Sequence, residues 1–291
     1  MKIAFVGDLH GRVLHSLAIM SKWQIQHKQK LDWIIQVGDF GAYPHPNDQL
    51  KQKRRIDLDP SQFDFSRYLR AEGKLADQLQ YIRTHFARPV YFIRGNHEDF
   101  EWLAEISSRS SHPTESIDPF GLFAYVKDGT VIKTDGPTIA FLGGVDNKIA
   151  DSRSIDEEAY RKLTSYPRGE INILVTHDAP YGAIINEDGE LRGSQMLLEL
   201  IETIQPKYMI GGHFHHMNGP KTFGATTYLG LNLIIYHKAD ETGTVKPGSF
   251  ALLDTDNGEL SFITDEWLST FHKGMDFVQY CEELQNTGTG C

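Results

Sequence analysis

Five short blocks in this 291-residue chain carry residue types that could do chemistry together. Asp8 and His10 sit in GDLHG, Asp39 in GDFG, Asn96 and His97 in RGNHE, His177 in THDAP, and His213 and His215 in GGHFHH. Carboxylate oxygen and imidazole nitrogen in one set suit a divalent transition metal such as Mn, Fe, Zn or Co. They suit Mg less well, because Mg prefers oxygen alone. Asp8, His10, Asp39, Asn96, His177, His213 and His215 are too many ligands for one tetrahedral site. They fit two ions sharing a bridging carboxylate, about 3.5–4 Å apart as in two-metal sites generally. DLH and HFH each put two ligands two residues apart, on one side of an extended segment.

Each block follows a short run rich in β-branched and aromatic residues: KIAFV (2–6), DWIIQV (32–37), PVYFI (89–93), INILV (171–175) and KYMI (207–210). Amphipathic stretches lie between these runs. Val13, Leu17, Met20 and Gln24 recur at helical spacing, and Tyr68, Leu69, Leu75, Leu79 and Ile82 predict a helix over 66–86. SQMLLELIETIQP (194–206) reads as a helix stopped by Pro206. Such alternation implies a largely parallel sheet covered by helices, with ligands bound outside the carboxyl ends of its strands. Five strand ends would then point into one crevice. Glycines at 7, 11, 38, 41, 95, 211 and 212 would let the backbone turn there.

Two regions break the rhythm. Residues 122–142 hold Asp128-Gly129 and Asp135-Gly136 between strand-like runs, which signals antiparallel hairpins. Further on, LNLIIYHK, SFALLDTDNGEL and SFITD read as more antiparallel strands. The expected fold class is therefore α/β with α+β character, two packed mixed β-sheets flanked by α-helices. A last amphipathic helix is expected through Trp267, Leu268, Phe271, Met275, Val278 and Cys281, before a short polar tail, NTGTGC, expected to be disordered. Residues 42–65 show no obvious element.

The ordered set Asp-x-His, Gly-Asp, Gly-Asn-His-Glu, His, Gly-His-x-His, spanning residues 7–215, resembles the calcineurin-like metallophosphoesterase superfamily. The resemblance implies that family's β-sandwich flanked by helices. It implies that Asp8, His10 and His215 hold one metal, that Asn96, His177 and His213 hold a second, and that Asp39 bridges them. It further implies His97 as general acid and Arg94 as a phosphate clamp. The implied reaction is hydrolysis of a phosphate ester by in-line attack of a metal-bridging hydroxide, with the metals, Asn96 and Arg94 offsetting charge on the phosphoryl oxygens. Manganese is the first expectation for the two ions, with Fe, Zn or Co as alternatives. The chain departs from the family in its second block, where many members read Gly-Asp-x-x-Asp and this one has Ala42. Glu98, Asp99 and Asp178 are the candidates to orient His97 instead. Arg94 has a structural alternative, an ion pair with Glu98 or Asp99.

On this reading residues 1–265 form the catalytic domain, with an inserted loop and helical segment at about 42–75, and 266–291 pack on that same domain. The substrate is phosphorylated, of open class. A nucleic-acid phosphodiesterase is the alternative that the run KQKRR (51–55) raises, against a net charge of −10 that opposes general affinity for nucleic acid. A catalytically silent binding scaffold of the same fold is the other alternative. No apolar run approaches the roughly 20 residues a membrane helix needs. The chain has only two cysteines, Cys281 and Cys291, which suits a reducing compartment and gives a cytoplasmic expectation. His216 is an extra imidazole for a supporting or substrate-binding role. His15, His27, His45, His85, His112, His237 and His272 are expected to be structural or surface residues.

Overall fold

The computed structural model describes residues 1–45, 63–236 and 243–288. The basic run at 51–55, His237 and the end of the polar tail lie outside these. Among the described residues, one sheet comprises seven strands, β1 (Lys2–Val6), β2 (Trp33–Gln36), β3 (Val90–Phe92), β4 (Thr114–Ser116), β5 (Phe123–Val126), β14 (Phe250–Asp254) and β15 (Glu259–Phe262). Their order across the sheet is β15-β14-β1-β2-β3-β5-β4. A second sheet comprises six, β6 (Thr130–Lys133), β7 (Thr138–Leu142), β8 (Ile173–Thr176), β11 (Tyr208–Gly211), β12 (Asn218–Phe223) and β13 (Thr226–Gly230). Their order is β12-β13-β11-β8-β7-β6. A two-stranded ribbon, β9 (Ile184–Ile185) with β10 (Leu191–Arg192), stands apart.

The centre of each sheet is parallel, β1-β2-β3-β5 and β7-β8-β11-β13, and the edges are antiparallel. Side-chain alternation explains why the central strands read as continuous apolar runs. Along β1, Ile3 and Phe5 pack between the sheets with Ile35, Val126, Phe141, Val175 and Ile210. Ala4 and Val6 face the other way, into a layer formed with α1 (Val13–His27), α2 (Asp64–Leu69), α3 (Gly73–Arg83) and α7 (Phe277–Gly288). The second sheet carries α5 (Glu157–Thr164) and α6 (Gln195–Ile204) on its outer face, through Leu163, Leu197, Leu200 and Ile201. The result is a sandwich of two mixed sheets between helical layers.

Several local expectations are corrected. Asp128-Gly129 does not close a hairpin: β5 belongs to one sheet and β6 to the other, so this turn carries the chain across the sandwich. Asp135-Gly136 does join an antiparallel pair, β6 with β7. The helix expected over 66–86 is two, interrupted at 70–72 and restarted at Gly73, whose φ of 54° no helix interior would hold. Residues 231–236 are not a strand, although β14 and β15 are. The last helix is also divided: a 3₁₀ turn at Glu266–Thr270 precedes α7, which docks on α1 and α3 through Tyr280 Oη donating to the Ala18 carbonyl (3.2 Å) and Lys74 pairing with Glu282 (3.1 Å).

Candidate metal centre

The loops after β1, β2 and β3 meet those after β8 and β11 at one end of the sandwich, so both sheets contribute ligands. The backbone is woven together first. The N–H groups of Leu9 and His10 both donate to the Asp39 carbonyl (3.0 and 2.8 Å), and Gly212 N–H donates to the His177 carbonyl (2.9 Å). Close approach dictates two glycines. A Cβ on Gly95 would lie 2.2 Å from Asp39 Oδ1, and one on Gly212 would lie 2.2 Å from Asp8 Oδ1. Among the described residues, the non-glycine positions with φ in the left-handed region are His10, Lys28, Asp39, Gln205, His213 and His215. Lys28 and Gln205 end helices, and the other four are candidate ligands. Strained backbone of this kind persists only where surrounding structure over-determines it, and it clusters at functional sites.

One ligand atom from each of Asp8, His10, Asp39 and His215 lies within 4.8 Å of the others. The Nε2 atoms of His10 and His215 are 3.1 Å apart, Asp8 Oδ2 is 3.1 Å from His215 Nε2, and Asp39 Oδ2 is 3.8 Å from His10 Nε2. Beside this group, His177 Nε2 lies 3.0 Å from Asn96 Oδ1 and 3.3 Å from Asp39 Oδ1. Its Nδ1 faces the Val37 carbonyl at 3.0 Å, which makes Nδ1 the N–H donor and turns Nε2 toward the cluster. The His213 ring centroid is 5.2 Å from that of His177. The His97 ring stands edge-on to His10, with centroids 5.3 Å apart.

The electrostatics suit cation binding. Burial would raise the pKa of Asp39, but His177 and His10 overcome it and hold the carboxyl well below its ordinary value. Burial likewise opposes ionisation of Asp8, and the hydrogen bond from His215 with the charge of His177 brings its pKa down. His10 is pushed down to about 3, first by burial, so it is a neutral donor at neutral pH. His177 is raised to about 10 against its burial, by Asp39. Asp39 Oδ1 accepts the N–H groups of Asn96 (2.7 Å) and His97 (2.8 Å), whereas Oδ2 is buried and accepts no hydrogen bond. An orphaned carboxylate oxygen 3.8 Å from an imidazole nitrogen is what a cation would satisfy. The residues therefore fit a divalent transition metal.

Arg94 requires a correction. Its Nε donates to Asp128 Oδ2 (2.6 Å), Nη1 to the Ser152 carbonyl (3.0 Å) and Nη2 to the Ser154 carbonyl (2.7 Å), and the residue is buried. The guanidinium is committed to the protein rather than presented as a phosphate clamp, and its carboxylate is neither Glu98 nor Asp99. Glu98 is buried beneath the centre and accepts N–H groups from Phe40 (2.8 Å), Ala42 (2.7 Å) and Gly95 (3.3 Å). Asp99 caps α4 (Phe100–Ser108) by accepting the Trp102 N–H. His216 bonds the Phe214 carbonyl, 2.9 Å from its Nδ1. Phe65 packs on Phe40 in the core, so it pins its segment.

Sequence reasoning passed over a second feature. A cavity of about 220 Å³ adjoins Asn96 and His213 and is also lined by Asp178, Phe214, Arg153 and Arg192. The two arginines come from the loop after β7 and from β10, and no spacing in the sequence relates them.

The fold and this cluster define a sandwich of two mixed sheets with a candidate divalent-metal centre at one end. The calcineurin-like phosphoesterase profile matches residues 1–217, and the chain belongs to that family. Over 60 residues it is 38% identical to a UPF0046 protein of Caenorhabditis elegans, a match spanning 21% of each chain, so most of that relative's length is not matched. The solved structure of TT1561 from Thermus thermophilus shares the fold, with a TM-score of 0.50 at 16% identity over 90% of this chain and 98% of that one. Another solved structure aligns with a TM-score of 0.52 at 13% identity over the same shares. Among the described residues, no helix is long and apolar enough to cross a membrane.

Proposed function

We propose that the protein is a dinuclear phosphoesterase in which Asp8, His10 and His215 hold one divalent ion, Asn96, His177 and His213 hold another, and Asp39 serves both. The observation that carries this is the division of the Asp39 carboxylate. Its Oδ2 faces His10 and its Oδ1 faces His177, one oxygen toward each half of the cluster. When bound, the ions supply Lewis acidity that lowers the pKa of a coordinated water and draws charge from phosphoryl oxygens. The mixed nitrogen and oxygen donors favour Mn, Fe, Zn or Co, with Mn first.

The chain's own residues do the rest. Asp39 fixes the Asn96-His97 backbone through two N–H bonds, so the bridging carboxylate also sets where His97 begins. His97, whose ring stands edge-on to His10, would give a proton to the departing alkoxide oxygen. The neutral amide oxygen of Asn96 adds a donor atom without adding negative charge. A cytoplasmic setting is part of the same reading, supported by Cys281 as a buried free thiol whose pKa burial pushes up to about 12.

The test is paired hydrolysis of p-nitrophenyl phosphate and bis-p-nitrophenyl phosphate by chelator-stripped protein supplied with Mn, Zn, Fe or Mg. Metal-dependent turnover that disappears in Asp39→Asn supports the reading, and the preferred ester assigns monoesterase or diesterase character. His97→Ala should lower kcat on an alkyl ester by about 10²–10⁴. It should cost less with p-nitrophenyl esters, whose leaving group departs without a proton. Failure to bind any of these metals would overturn the proposal.

A further inference from the structure

We infer that the cavity beside the centre is a subsite for a second anionic group, so that the substrate carries another phosphoryl group besides the one that is hydrolysed. This rests on the phosphoesterase reading for the scissile phosphate. The cavity shares Asn96 and His213 with the candidate centre, which places it next to wherever that phosphate sits. At about 220 Å³ it is smaller than the roughly 300 Å³ at which pockets begin to enclose whole small ligands. It therefore takes a group of the substrate and leaves the remainder outside.

Arg153 and Arg192 decide which group. They reach one cavity from separate segments, and their side chains are 55% and 54% exposed. Each is steered by an acid two residues before it. Arg153 Nε lies 3.0 and 3.2 Å from the two Asp151 oxygens and its Nη2 2.5 Å from Oδ2, and Arg192 Nη2 lies 2.6 Å from Glu190 Oε2. Exposed pairs of this kind are weak and exchange readily, so they pre-orient the guanidinium forks without withdrawing them from an incoming anion. The carboxylates that line the same cavity already have donors. Asp178 accepts N–H groups from Asp146 (3.0 Å) and Ala179 (2.8 Å), and Asp146 accepts the Ser194 hydroxyl (2.9 Å). Two forks on one small cavity match the three acceptor oxygens of a phosphoryl group better than a carboxylate, which one fork satisfies.

The probes are propylphosphonate and propane-1,3-bisphosphonate, which the enzyme cannot hydrolyse and which differ only in the second anion. Binding to Mn-loaded full-length protein would be measured by calorimetry, and as inhibition of p-nitrophenyl phosphate hydrolysis. The bisphosphonate should bind about tenfold more tightly, the gain expected from one added charge-assisted contact. In Arg153→Gln/Arg192→Gln the ratio of the two affinities should fall toward one, with an unchanged urea midpoint showing that the fold is intact. Equal affinities in the parent protein, or a ratio that the double variant leaves untouched, would overturn the subsite while turnover and propylphosphonate binding uphold the phosphoesterase. Absence of turnover and of binding by either probe would overturn both. Arginine-dependent bisphosphonate binding without turnover would uphold the subsite alone.

Discussion

Arg94→Met separates a structural guanidinium from a substrate clamp. The side chains of Arg94 and Asp128 are 10% and 11% exposed, and Asp128 Oδ1 already accepts the Gly143 N–H at 2.7 Å. Arg94 remains charged, because Asp128 outweighs the burial that would lower its pKa. The substitution removes three hydrogen bonds made by a cation. It leaves a carboxylate uncompensated. Breaking one partner of a buried pair costs about 3–5 kcal/mol, and the residual exposure of Asp128 lets water offset part of that. The loss should therefore be about 3–4 kcal/mol, read as a lower urea midpoint at unchanged m-value.

The companion variant Arg94→Met/Asp128→Leu should regain part of that loss, since it removes the buried uncompensated carboxylate while leaving the Gly143 N–H without its acceptor. The KM for p-nitrophenyl phosphate in Arg94→Met should stay within about threefold of the parent, as expected for a group that makes no substrate contact. The loop that Arg94 ties down also carries Arg153, so discrimination between one and two phosphonates should weaken. A stability change below about 1 kcal/mol, with KM raised more than about tenfold, would refute this assignment and restore the clamp.

Glu98→Ala strips the partner from three N–H groups that fasten the Asp39 loop to the Asn96 loop, and should cost about 3 kcal/mol and weaken metal binding by about 10–100-fold; parental affinity by calorimetry would count against it. Gly212→Ala would drive a Cβ to 2.2 Å from Asp8 Oδ1 and 2.9 Å from Val37 Cγ2, so about 1–3 kcal/mol of strain and weaker metal binding are expected together, and an unperturbed crystal structure of the variant would be the contrary result. His85 has its pKa lowered by burial, and its Nε2 is buried without a partner, so the unfolded chain binds the extra proton. Stability should be intact above the unfolded value near 6.5 and be lost as pH falls through it toward the folded value. Urea midpoints between about pH 7.5 and 5 should therefore fall less in His85→Gln than in the parent, and parallel slopes would remove His85 as the cause.

How much of this was legible in the sequence depends on the range of each interaction. The runs before Asp8, Asp39, Asn96, His177 and His213 are all strands, because a strand buried on both faces writes its burial into consecutive residues. That the first three lie in one sheet and the last two in the other was not written locally, since strand pairing joins segments distant along the chain. The same limit explains Asp128-Gly129, where composition announced a turn but could not say that its two strands belong to different sheets. It also explains Arg94. The acids near it in sequence, Glu98 and Asp99, are occupied by loop and helix N–H groups, while its partner lies 34 residues away.

Ala42, the departure from the family pattern, is tied into the site through its backbone. At this position the family often has an acid, and the sequence offered Glu98, Asp99 and Asp178 as replacements. The structure holds position 42 by its backbone: Ala42 N–H donates to Glu98 Oε2 at 2.7 Å, and the Asp99 N–H donates to the Ala42 carbonyl at 3.3 Å. These two contacts lock the second block to the third, and Asp39 adds two more through the N–H groups of Asn96 and His97. The backbone of His97 is thereby held at the strand end that delivers it. On the proposed reading Asp39 would both hold the cations and, through the Asn96 and His97 N–H groups, anchor the backbone of the proton donor, so metal affinity and general-acid placement should fail together when that loop is loosened. Glu98→Ala is the substitution that loosens it without touching a candidate ligand.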